Sequence, residues 1–157
     1  MARRTVPLPK LFALGSNQVS GSIVISAITP PPNPESLGSM TISGSGDRWS
    51  ASTSGGVSTI SLNPQTYPLT YRLTFELDPS VAEQFTFASL VGQLTFVSGT
   101  VQSCGFLLDS PVLQMFLANP PITDDVTYNL AVGFQSTGED TTPFWVGDPT
   151  IVFEPPV

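Results

Sequence analysis

The chain contains no histidine. That one absence removes the usual serine and cysteine triads, imidazole acid–base catalysis and the commonest zinc ligand together. Lysine is almost as scarce, with Lys10 the only one, so the body has no Schiff-base lysine and no lysine to clamp a phosphate. Gly44-Ser45-Gly46 lacks the further glycine of a dinucleotide loop and reads as a turn. Cys104 is the sole cysteine, which rules out an intramolecular disulfide. Among Val101, Phe106, Leu107 and Leu108 it reads as a small buried hydrophobe. Long apolar runs are also missing. Nothing approaches the roughly 18 residues of a membrane helix. Pro7, Pro9 and Lys10 break up the first 14 residues, so no signal-peptide core is expected. These absences point away from an enzyme and predict no catalytic residue, no cofactor and no dedicated metal site.

What is present is a globular composition. A chain of 157 residues fits one domain and buries roughly two thirds of its unfolded surface. Hydrophobic residues are 40% and charged residues only 11%, while Ser and Thr together make up about 23%. Hydroxyls must therefore cover much of the surface, which suits strands with Thr and Ser on their outer face. Sixteen prolines and 13 glycines supply frequent turns.

Periodicity identifies the strands. Leu69, Tyr71, Leu73, Phe75 and Leu77 alternate with Thr70, Arg72, Thr74 and Glu76. Val126, Tyr128, Leu130, Val132 and Phe134 repeat that pattern. Both stretches read as half-buried strands. Further short strands are expected at 19–28, 39–43, 49–52, 57–62, 85–87, 92–97, 101–108, 144–146 and 150–153. Residues 112–117 suit a strand or a short helix, and 80–85 suits a helical turn. Pro30-Pro31-Pro32-Asn33-Pro34 reads as a stiff connector.

Many short strands with almost no helix predict an all-β fold, an antiparallel β-sandwich of immunoglobulin-like or jelly-roll type. Asp124 to Leu130, with Tyr128 at its centre, resembles the tyrosine corner of immunoglobulin-like domains, which implies that topology. Two surface chemistries are conceivable on such a body. Asp124, Asp125, Glu139, Asp140 and Asp148 could gather as a calcium site, although solvated loop carboxylates explain them more simply. Trp49 and Trp145 could form a sugar-stacking platform, against the simpler reading of core packing.

Charge divides the chain. Arg3, Arg4 and Lys10 are three of the five basic residues, leaving Arg48 and Arg72 against all 12 acidic ones. A body so acidic repels nucleic acid. Residues 1–18, basic and bearing Pro7 and Pro9, read as an extended arm ahead of a single domain spanning 19–157. Arg3, Arg4 and Lys10 are the candidate partner-binding residues.

A rigid Ser/Thr/Gly/Pro-rich β body, no recognisable secretion signal and proline-bearing extensions at both ends resemble, in kind, the small capsid cement or decoration proteins of tailed bacteriophages. That resemblance implies a virion structural protein that binds and stabilises a viral shell. Its implied partners are a major capsid or other virion protein and further copies of itself, with neither nucleic acid nor membrane. Assembly would take place in the host cytoplasm. The alternative expectation is a surface module that recognises a glycan or a protein, such as a tail or fibre component.

Overall fold

The computed structural model describes residues 18–33, 35–46, 48–62, 69–98, 103–109, 111–119, 126–138 and 140–153. Arg3, Arg4 and Lys10 lie outside them, as do Asp124, Asp125 and Glu139; Cys104 and Asp148 are placed by their backbone alone. Ten strands and one helical turn make up the described fold. They are β1 (Gln18–Thr29), β2 (Ser39–Gly46), β3 (Trp49–Ser54), β4 (Val57–Leu62), β5 (Leu69–Leu77), α1 (Pro79–Ala82), β6 (Phe85–Ser98), β7 (Ser103–Asp109), β8 (Val112–Asn119), β9 (Val126–Ser136) and β10 (Phe144–Phe153). The nearly all-β expectation holds. Among the described residues no helix is long and apolar enough to cross a membrane.

The expected antiparallel arrangement needs correction. Hydrogen bonding runs through one ten-stranded sheet in the order β6-β9-β10-β4-β3-β2-β1-β5-β8-β7. Two of its pairings are parallel: β1 with β5, from Gln18 opposite Thr70 to Ile25 opposite Leu77, and β10 with β4. The sheet curls until its first and last strands, β6 and β7, approach each other in a nearly closed barrel. The parallel pairs follow from connectivity, because a strand that returns after two or more intervening strands arrives in either direction.

Alternation places the core. Tyr71, Leu73 and Phe75 of β5 are fully buried, as are Ile23 and Ile25 of β1 and Leu113, Met115 and Leu117 of β8. Tyr128, Leu130, Val132 and Phe134 of β9 close the far wall. Phe134 stacks on Phe87 with ring centroids 5.1 Å apart. Each such side chain contributes about 1.5–3 kcal/mol by leaving water. Tyr128, the centre of the proposed tyrosine corner, sits within this core.

Strand β2 changes partner along its length. Its second half pairs with β3, from Ser43 opposite Ser52 to Gly46 opposite Trp49. Gly38, just before β2, instead bridges to β10: its N–H donates to the Trp145 carbonyl at 2.9 Å, and Gly147 N–H donates to its own carbonyl at 3.0 Å. The β3–β4 hairpin is wedged between these two pairings. Gly55 and Gly56 turn it, with φ of 59° and 80°, values suited to a two-residue turn of the type that matches strand twist.

Hydroxyls satisfy the backbone that the wedge leaves unpaired. Ile42 N–H donates to Thr53 Oγ1 at 2.9 Å, and Ser58 Oγ donates to the Met40 carbonyl at 3.0 Å. Thr53 Oγ1 and Ser58 Oγ are 2.6 Å apart. Since the Ser58 proton is committed to Met40, the Thr53 hydroxyl donates to Ser58, and the four groups form one relay.

Candidate functional site

The two ends of the β1–β5 ladder are built differently. In the Gln18 half of the ladder, at Gly21, the indole of Trp49 lies across the inner faces of β1 and β2 and is only 4% exposed. Glycine makes room for it at three positions. A Cβ on Gly21 or Gly46 would collide with the ring, and one on Gly44 would sit 2.9 Å from it. Trp49 is therefore a core residue, and a platform pairing it with Trp145 is not present. Trp145 stands on β10, half-buried, opposite Gly133 of β9.

At the Leu77 end the ladder stops, and Asp78 N–H donates to the Ile25 carbonyl at 3.0 Å. Asp78 then caps α1. Its Oδ2 accepts from Ser80 N–H at 3.3 Å and from Ser80 Oγ at 2.6 Å, and Pro79 occupies the first turn where no N–H is needed. Val81 turns inward, 5% exposed, and plugs this end. The chain leaving α1 is tied to the end of β9, where Thr137 N–H donates to the Gln84 carbonyl at 2.9 Å and Thr137 Oγ1 to the Glu83 carbonyl at 2.8 Å.

Beside α1 an open groove of about 520 Å³ remains. Val24 of β1, Leu77, Pro79 and Ala82 line it together with Pro111, just before β8, and Val112 at its start; Glu76 and Asp78 supply its carboxylates. Its charged groups are these two carboxylates, set beside aliphatic and proline side chains. Sequence reasoning missed it. Its walls come from three separated stretches, and the only advance signal was Asp78-Pro79-Ser80, the signature of a helix start.

Of the acidic residues considered for calcium, Asp140 is the one with a described side chain, and it is exposed. The Thr142 hydroxyl and then the Thr142 N–H, 3.1 Å from Asp140 Oδ1, hold its carboxyl below the usual value. Among the described residues no three His, Cys, Asp or Glu side chains gather to hold a metal.

No family model and no curated protein matches the chain. Among solved structures, the inclusion body protein PixA from Burkholderia cenocepacia is similar at 11% identity. The alignment covers 89% of this chain and 98% of that one, with a TM-score of 0.49. At that distance the likeness carries no argument about activity.

Proposed function

We propose that the chain is a virion structural protein, a capsid cement or decoration protein that binds and stabilises a viral shell. The observation that carries this reading is the division of charge: three of five basic residues precede β1, while all 12 acidic residues follow Lys10. A chain so divided attracts copies of itself and acidic neighbours at the basic end, and stays soluble through the acidic end until assembly. The continuous sheet and the binding groove suit such a role. In this reading the barrel is flattened into two facing layers of immunoglobulin-like or jelly-roll type. The partners are a major capsid or other virion protein and sister copies, the site of action is the virion, and catalysis plays no part. A glycan- or protein-recognition module of a tail or fibre is the alternative; with Trp49 in the core, its aromatic platform would rest on Trp145.

Density-banded particles from the source culture test the reading. The chain should co-band with them in fixed ratio to the major shell protein, and immunogold labelling should decorate the shell. Its absence from banded particles would contradict the proposal, and label confined to a tail tip would favour the alternative.

A further inference from the structure

Resting on the assembly reading, we propose that the groove beside α1 seats the segment Val6–Lys10 of a second copy of this chain, joining copies head to tail. Size limits the occupant. A volume of about 520 Å³ lies within the range of sites that enclose a small ligand, and it accommodates a few side chains rather than a folded domain.

Chemistry narrows it further. The floor is aliphatic and proline-lined, and the carboxylates are Glu76 and Asp78, so the fitting occupant is an apolar segment carrying a cation. Val6-Pro7-Leu8-Pro9-Lys10 has that composition. Its two prolines fix φ at alternate residues, so it surrenders less conformational freedom on docking than an ordinary segment. The cation on the same strand as Glu76 is placed less well for the task. Arg72 stands four residues before Glu76 on β5, about 13 Å at the rise of a strand.

Direction decides between the same copy and another. Residue 17 joins β1 at Gln18, opposite Thr70, whereas the groove lies past Ile25 and Leu77 at the other end of the ladder. Seven strand steps separate them, roughly 23 Å. To reach its own groove, a segment leaving Gln18 must reverse direction and run back the length of β1, which pairs with β5 over Gln18–Ile25 and with β2 over Val24–Thr29. The groove of a second copy requires no such reversal. Donor and acceptor sites at opposite ends of one molecule make a heterologous contact, which closes into a ring or extends as a file and suits a lattice.

Two full-length variants test this by complementation in sedimentation velocity. Ala82→Trp fills the groove of a chain with its arm intact. Arg3→Glu with Arg4→Glu and Lys10→Glu reverses the arm of a chain whose groove is intact. The wild-type chain should self-associate, less in 1 M salt than in 0.15 M, while each variant alone should need roughly tenfold or more higher concentration. Mixed one to one, the variants should form heterodimers and nothing larger, because each mixture member supplies one working half. Matching circular dichroism and melting temperature certify folding. If Ala82→Trp does not fold, Glu76→Lys at an exposed strand position replaces it. A wild-type chain that stays monomeric, a groove-filled chain that associates as well as wild type, or a mixture that yields no heterodimer would each overturn the proposal. Heterodimers from a chain absent from banded particles would reject the shell reading and keep the groove; a shell-bound chain without heterodimers would do the reverse.

Discussion

In the Gln18 half of the β1–β5 ladder an indole packs down to the backbone at Gly21, and at the Leu77 end a short helix leaves an apolar groove open beside it. Both ends face the same problem, how to finish a curled sheet. Three glycines, Gly21, Gly44 and Gly46, solve it in one half by leaving the indole of Trp49 space that a Cβ would occupy. At the other, Val81 plugs the core and aliphatic residues around α1 line an open groove. The contrast separates residues that specify the fold from residues available for binding, and it predicts opposite responses to substitution.

The largest effect should fall at the filled end. Trp49→Ala removes a buried indole and should cost about 3–5 kcal/mol, and Gly21→Ala, which places a methyl in the ring, about 1–3 kcal/mol. Urea unfolding midpoints measure both. Ala82→Trp at the open end should stay within about 0.5 kcal/mol of wild type, as an exposed substitution does. Equal losses at the two ends would erase the distinction.

Sequence legibility follows the same division. Strands β5 and β9 were readable because one face meets the core and the other meets solvent, so alternation survives in the sequence. Strand β8 was ambiguous because Phe116, which alternates outward from Met115 and Leu117, is itself only 6% exposed. When both faces are covered, period two is lost. The parallel pairings and the partner change of β2 were invisible, since they depend on which distant strand arrives beside which. The Trp49 seat was equally hidden: Gly44 and Gly46 read as turn residues, although both lie within β2 and serve packing. The basic segment was legible from composition alone, but its proposed receptor was not.

A smaller loss sharpens the comparison midway along the sheet. Ser58→Ala breaks the relay that joins β2 to the β3–β4 hairpin and leaves the Met40 carbonyl and Thr53 hydroxyl short of a partner, at a cost of about 1–3 kcal/mol. Ser52→Ala, exposed on the neighbouring strand, should change little; a similar loss there would show that the relay has no special weight. Below that comes Asp78→Ala, which removes the α1 cap and should cost about 1 kcal/mol in thermal melts.

Asp140 marks the bottom of the scale. Its folded-state pKa is lowered, so its stabilising contribution is present above the unfolded carboxylate pKa and disappears as pH falls through the lower folded value. An NMR titration should place its midpoint below the ordinary aspartate value, and Thr142→Val should move it back up. Because the group is fully exposed, Asp140→Asn should leave the melting temperature at pH 7 essentially unchanged.

Amide hydrogen exchange of the full chain, compared between dilute and concentrated samples, tests most directly whether the open end is the working end. Peptides covering Val24, Glu76 to Ala82 and Pro111-Val112 should gain protection as copies associate, together with those covering Val6 to Lys10, while Gly44 to Trp49 stays constant. Protection gained around Trp49 with none at the groove would contradict the account.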